Sequence, residues 1–386
     1  MWPDRPGLQR PRHNEPRHVT LGGGPIGTAD FIGQTESQGT LEVRPRAVPV
    51  EAAPTRPHRL SAVVATFQGE RFLRDQLRTM LGQGVALDEI VIADDCSSDS
   101  TLAIAEDVKA NSCIPIQILR GDCTLGISRN FERGLRASTG DIVFLADQDD
   151  GWRADKVARM LNEFTTRPTL DVLFTNARLV DEFGASLHDT LFKVLRIART
   201  ERRRLRDGRA FDALLRRNLA TGATMAVRRA SMLRALPIPE GWLHDEWIAM
   251  IASASGRIDF LDETLTDYRQ HDKNHVGSKR ETFRSVLKKL GCCRRDFNCN
   301  LARRTELQIE RLRALSPPVA EHQIALASLK LKHLKHRCEL PTRRLARVPV
   351  IARELVNGGY RHYSSGLRSI VGDLFGAICP EDSDGG

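Results

Sequence analysis

Asp147, Gln148, Asp149 and Asp150 place three carboxylates in a single turn. Carboxylates that close repel one another unless a cation offsets their charge. Hard oxygen donors suit Mg2+ or Mn2+, and either ion can bridge a diphosphate. The competing account is an acidic helix start, where aspartate meets the positive end of the helix dipole. A second acidic pair, Asp94 and Asp95, runs into Cys96-Ser97-Ser98-Asp99-Ser100-Thr101. Ser98 or Asp99 can cap a helix there, but capping does not account for the pair before it. A carboxylate at a strand end can accept from a nucleobase N–H or from ribose hydroxyls. For Asp94 and Asp95 the binding and the structural accounts both stay open. Gly126 permits a tight turn into a helix whose N–H groups, with Arg129 nearby, could face phosphate, although many surface helices start after a glycine. Asp245 in LHDEW and His271 in YRQH, with Asn274 just beyond, are residue types that serve as a general base and as a nitrogen ligand completing an oxygen-rich metal site. As isolated residues they serve structure equally well.

Such groups need strand ends and loops to hold them. LSAVVAT from Leu60, then EIVIADD, PIQILR, DIVFLAD and LDVLFTN, are short apolar runs rich in β-branched residues, which predict buried strands. Between them Phe72, Leu73, Leu77, Met80 and Leu81, and later Val157, Met160, Leu161 and Phe164, recur at the spacing of one helix face. Strand and helix alternate, so the expected class is α/β, a mostly parallel sheet with helices on both faces and right-handed crossovers. Ligands bind such sheets outside the carboxyl ends of the strands. Asp94 and Asp95 follow EIVIA, and Asp147 to Asp150 follow DIVFLA, at those ends.

With 386 residues, 41% of them hydrophobic, the chain is long enough for one large core and a smaller unit. Residues 1–57 form a Pro/Arg-rich extension whose composition predicts disorder, 58–280 the α/β domain, and 281–386 a basic, helix-prone region. No run approaches the roughly 18 apolar residues of a membrane span, and the opening lacks the apolar centre of a secretory signal, so residence in the cytoplasm is expected. The eight cysteines fall at irregular spacings and are expected as reduced thiols; CCRRDFNC lacks the second half of a zinc site. A net charge of +9 favours an acidic partner: nucleic acid, an anionic membrane or a phosphorylated substrate.

Taken in order, ATFQGERFLRDQL, DEIVIADDCSSDST, TLGISRNFERGL, FLADQDDGWRADK, TGATMAV, LHDEW and DYRQHDKNHVG resemble the blocks of family 2 glycosyltransferases with the GT-A fold, over residues 59–280. DQDD-x-W, HD-x-W and YRQH-x-x-N are similar to the bacterial rhamnosyltransferase-like branch acting on surface polysaccharides. The resemblance implies that Thr66, Phe67, Gly69 and Glu70 lie where the family holds the nucleobase, that Asp95, with Asp94, bonds the base or ribose, and that Arg129 lies near the nucleotide or its phosphates. It implies that Asp147 and Asp149 are the family's DXD element, with Asp149 and His271 as metal ligands and Asp147 nearer the ribose or donor sugar. Asp245 matches the catalytic base, and Trp247 would shape the acceptor pocket. The implied reaction is a single inverting displacement at the anomeric carbon, with Mg2+ or Mn2+ and a dTDP- or UDP-sugar donor. L-Rhamnose from dTDP-rhamnose is the donor sugar the resemblance suggests, and a hydroxyl of a polysaccharide or lipid-linked glycan the acceptor. Two departures stand out. Phe67-Gln68-Gly69 replaces the more usual Tyr-Asn-Gly, losing a phenol hydroxyl, and Gly151 stands where a bulkier residue is common.

A nucleotidyltransferase would share the sheet and the acidic ligands but should carry a glycine-rich, basic phosphate loop after its first strand, which TFQGERF is not. A nucleic-acid-binding protein, suggested by TERRRLRDGR, should offer aromatic platforms; aromatic content is 5% and the acids gather at strand ends, so no nucleic-acid partner is expected. In the basic tail, Leu367, Ile370, Val371, Leu374 and Phe375 could lay a helix on an anionic bilayer, or the tail could cap the catalytic domain with a solvated basic face.

Overall fold

The computed structural model describes residues 57–271 and 294–377. The Pro/Arg-rich extension and Asn274 lie outside the described residues. Nine strands form one sheet: β1 (Leu60–Thr66), β2 (Glu89–Asp94), β3 (Ile116–Leu119), β4 (Ile142–Asp147), β5 (Gly151–Trp152), β6 (Leu170–Val180), β7 (Ser186–Thr190), β8 (Met225–Arg228) and β9 (Arg257–Arg269). Their order is β3-β2-β1-β4-β8-β6-β9-β5, with β7 beside β6. The expected parallel arrangement holds from β3 through β4. Beyond β4 the sheet is mixed: β8 runs antiparallel to both β4 and β6, while β9 is parallel to β6. The reason is β8, a short strand that lies between β4 and β6 and runs antiparallel to both.

Side chains alternate between two cores, as the two-residue period of a strand requires. On one face Ala62 and Val64 of β1, Ile90 and Ile92 of β2, and Phe144 of β4 meet helices α1 (Leu73–Leu81), α2 (Thr101–Ala110) and α4 (Lys156–Thr166) through Leu77, Met80, Val157 and Phe164. On the other, Val63, Val91, Val143 and Leu145 meet α3 (Ile127–Ala137) and α9 (His244–Ser255) through Phe131, Leu135, Trp247 and Ile251. The short helices α5 (Leu191–Val194), α6 (Arg199–Arg206), α7 (Ala210–Leu214) and α8 (Arg229–Ala235) complete that face. Among the described residues five further helices follow: α10 (Arg294–Ala314), α11 (Glu321–Cys338), α12 (Arg344–Val356), α13 (Gly359–Tyr363) and α14 (Leu367–Phe375). Ile309 and Leu312 of α10 join the same core as α9, so this region packs on the α/β domain. The cysteines among the described residues are free thiols, and no described helix is long and apolar enough to cross a membrane.

Register aligns the acids. Ala65 of β1 lies opposite Asp147, and Thr66 opposite Asp94, so both acidic strand ends open at one edge of the sheet.

Candidate active site

The acidic turn is fastened from two sides. The Gln148 amide clamps the loop after β1, its Nε2 donating to Phe67 O at 2.9 Å and its Oε1 accepting from Phe67 N at 2.9 Å. A Cβ on Gly69 would stand 2.2 Å from that Oε1, so a side chain there would push the Gln148 amide out of this clamp. From the other side Arg269, at the end of β9, donates through Nε to Asp149 O at 2.8 Å and through its backbone N–H to Asp150 Oδ1 at 3.0 Å. His271 follows, its Nε2 at 2.6 Å from Asp149 Oδ2 and its ring stacked on Phe72 at 5.2 Å.

Crowding and lost hydration disfavour charge in this turn. Burial, then Asp149 and Asp245, push the Asp147 carboxyl up to about 8. Burial, then Asp149 and Asp147, raise Asp150 well above the carboxylate range, and its buried Oδ2 has no hydrogen-bond partner. Lys156, fully buried at the start of α4, opposes this rise in both carboxyls. Its Nζ donates to Ala223 O and Thr266 Oγ1, each at 2.9 Å, and lies 4.2 Å from the Trp152 ring centroid. Burial pulls the Lys156 ammonium down to about 7 against the pull of Asp150 and Asp147.

Asp245 enters from the first turn of α9. Its Oδ2 accepts from Gly222 N at 2.9 Å and its Oδ1 from Glu246 N at 2.6 Å, while burial raises its carboxyl above the usual range. The adjacent His244 is stacked on Phe131 at 3.7 Å with both ring nitrogens unpartnered, and burial lowers its imidazole to about 3, so it is neutral. A Cβ at residue 222 would lie 2.6 Å from His244 Nε2 and 3.4 Å from Asp245 Cβ. Gly222→Ala is therefore expected to cost about 1–3 kcal/mol in urea unfolding through overpacking, with loss of turnover as Asp245 is displaced.

The other expected residues are held as follows. Trp247 does not line an acceptor pocket: it is fully buried, its indole N–H donates to Ala235 O at 2.6 Å, and its ring meets Trp242. It anchors the helix that presents Asp245. Asp94 is fully buried and uses both oxygens internally, accepting from Thr66 Oγ1 at 2.8 Å and from Ser97 N at 2.8 Å. Asp95, also buried, accepts from Leu125 N at 2.7 Å and Gly126 N at 2.8 Å, so it secures the turn into α3. Glu70 accepts from Ser100 N at 3.1 Å. Phe67 is 46% exposed, and Arg129 is exposed with Glu132 3.4 Å away. The sequence reading missed Lys156, Arg269 and Phe72; the lysine's place at a helix start after the acidic turn was the one available signal.

Among the described residues no three His, Cys, Asp or Glu side chains are gathered as a ready metal cage. Asp149 Oδ2 and His271 Nε2 nevertheless form an adjacent oxygen and nitrogen pair, and Asp150 Oδ2 in the same turn has no hydrogen-bond partner; the pair's donor types suit Mg2+ or Mn2+, whose remaining positions a diphosphate would have to fill.

Residues 61–234 match the family model described as glycosyl transferase family 2. An uncharacterised protein of Mycobacterium tuberculosis is 28% identical over 215 residues, 55% of this chain and 59% of the relative, so the chain spans less than two thirds of that protein. An uncharacterised glycosyltransferase of Nostoc is 25% identical over 60% of this chain and 70% of its own. The dTDP-rhamnosyl transferase RfbG of Shigella flexneri is 25% identical over 60% of this chain and 79% of its own. Among solved structures, S. aureus TarS in complex with UDP-GlcNAc superposes with a TM-score of 0.51 at 16% identity, covering 81% of this chain and 90% of that one, which establishes the fold. The similarity to family 2 glycosyltransferases thus lies on residues 61–234, and the fold is the GT-A fold.

Proposed function

We propose that the protein is a metal-dependent, inverting glycosyltransferase that moves a sugar from a nucleotide donor to a hydroxyl of a cell-surface polysaccharide or lipid-linked glycan. The observation that carries this reading is the meeting of Asp147, the Asp149–His271 pair and a buried, basic Asp245 at the carboxyl edge of a family 2 domain. L-Rhamnose from dTDP-rhamnose is the proposed donor, supported by the similarity to RfbG over 79% of its length.

The proposed roles are these. Exposed Phe67 offers a ring for the nucleobase to stack on, at the end of a loop fixed by Gln148. Asp94 and Asp95 act on the donor through the loops they hold, and Arg129 offers positive charge beside the turn that Asp95 secures. Asp149 and His271 would hold Mg2+ or Mn2+, which when bound supplies positive charge to the departing diphosphate. Asp147 faces the donor ribose or sugar. Asp245 takes the acceptor hydroxyl proton as the new bond forms on the face opposite the leaving group, so configuration inverts and no covalent sugar–enzyme species is needed.

The test is release of nucleoside diphosphate from dTDP-, UDP- and GDP-sugars, with Mn2+, Mg2+ or EDTA and with glycan and lipid-linked acceptors. Turnover of one donor that EDTA abolishes would support the reading, and no turnover under any of these conditions would sink it. Turnover should also carry a pH signature. A base must be unprotonated, and the Asp245 carboxyl is raised, so kcat is expected to fall with decreasing pH through an inflection above the ordinary carboxylate value. A profile flat down to that ordinary value would remove Asp245 from this role.

A further inference from the structure

We propose that the outer face of α12 and α14 is a docking surface for an anionic lipid bilayer, an inference independent of the transferase reading. Helix α12 is amphipathic in the reverse sense. Its inward stripe is Arg347, Ile351 and Glu354, and its outward side carries Leu345, Val348, Leu355 and Val356, with Leu345 88% and Val356 86% exposed. Helix α14 repeats the pattern: Leu367, Val371 and Phe375, at four-residue spacing, all face outward, Leu367 at 80% exposure. The two helices are joined beneath by Leu340, Ile351 and Tyr360 with Ile370 and Leu374, so the outward stripes are not the core side of either helix.

Charge selects the occupant. Between residues 340 and 377 the acidic residues are Glu354 and Asp373, and both are buried and engaged inward. Glu354 pairs with His333 and with His336, at 2.5 and 2.6 Å, and Asp373 with Arg337 at 2.6 Å and the Tyr360 hydroxyl at 2.9 Å. Arg343, Arg344, Arg353 and Arg361 are exposed over the same stretch. The outward side therefore presents apolar side chains and arginines with no carboxylate among them. That is the composition of a helix lying in the headgroup layer of an anionic membrane, where apolar insertion and attraction to lipid phosphate add. A second copy of the chain would set like charges against each other, and a nucleic acid would leave the apolar stripes in water.

The experiment is flotation of the full chain with vesicles of phosphatidylcholine alone or mixed with phosphatidylglycerol. Wild type is expected to float with the mixed vesicles, weakly with phosphatidylcholine alone, and less as salt is raised. The triple variant Leu345→Glu, Val356→Glu, Val371→Glu should lose about tenfold or more in partitioning, and Arg344→Glu with Arg353→Glu should lose the preference for phosphatidylglycerol. Phe183→Glu, an exposed aromatic outside this face, should float as wild type does. Thermal melts show whether each variant is folded, and the arginine variant decides the matter if the triple variant melts early. Wild type that does not float, variants that float unchanged, or a wild-type dimer that the triple variant dissociates would each overturn the proposal.

Discussion

Asp245→Asn is expected to lower kcat about 10²–10⁴-fold while leaving the affinity for the nucleotide donor close to wild type, with a modest fall in melting temperature because the amide NH2 meets the Glu246 N–H that now donates to Oδ1 at 2.6 Å. The amide has nearly the shape of the carboxylate, and its oxygen can still accept from the Gly222 N–H that now bonds Oδ2 at 2.9 Å. What it cannot do is take a proton. Burial that raises the Asp245 carboxyl makes it a better base than a solvated aspartate, and the same burial makes any substitution that leaves a cavity or a stray charge a poor probe. Steady-state kinetics with saturating donor, alongside donor binding by calorimetry, separates the outcomes. A fall in kcat with unchanged donor affinity assigns Asp245 to proton transfer. Loss of donor affinity would assign it to binding, and an unchanged kcat would move the base elsewhere.

Much of this site was legible in the sequence because its carboxylates follow apolar runs. EIVIAD and DIVFLAD become β2 and β4, and a strand that ends in aspartate within an α/β sheet delivers that aspartate to the ligand edge. The helix faces of Leu73, Leu77 and Met80, and of Val157, Met160 and Phe164, are likewise buried as their spacing predicts. The mixed half of the sheet was less legible. Strand β9 reads as polar because it carries Asp259, Asp262, Glu263 and Asp267, and each is paired with an arginine distant in sequence: Arg167, Arg202, Arg159 and Arg178. Hydropathy sees the acids and not their partners. Asp94 and Asp95 show the opposite limit: residue type suggested ligand contact, while hydrogen bonds to Thr66, Ser97, Leu125 and Gly126, set by neighbouring loops, turn both carboxylates inward. Trp247 follows the same rule, since only the packing of α9 on α8 shows its indole to be interior.

Lys156→Met is expected to destabilise the protein by about 3 kcal/mol at neutral pH, a large effect for a residue that no spacing rule marks. Two buried acceptors, Ala223 O and Thr266 Oγ1, would lose their donor, and Asp147 and Asp150 would lose the opposing charge. Relief from burying an ammonium offsets part of this, since burial already holds Lys156 down to about 7. The pH dependence has a definite sign. Asp147 is raised from 3.8 to about 8 on folding, so the stability its neutral form contributes is complete below about 4 and is lost as pH rises toward 8. Removing the ammonium moves that carboxyl higher, and the decline should then extend to more alkaline pH in the variant than in wild type. A divalent cation supplies the missing positive charge, so Mn2+ should raise the melting temperature of Lys156→Met more than that of wild type. Thermal unfolding from pH 5 to 9, with Mn2+ or EDTA, reads all three expectations. Equal Mn2+ shifts in the two proteins, with parallel pH curves, would show that Lys156 is a hydrogen-bonding strut and that the acidic turn does not depend on its charge.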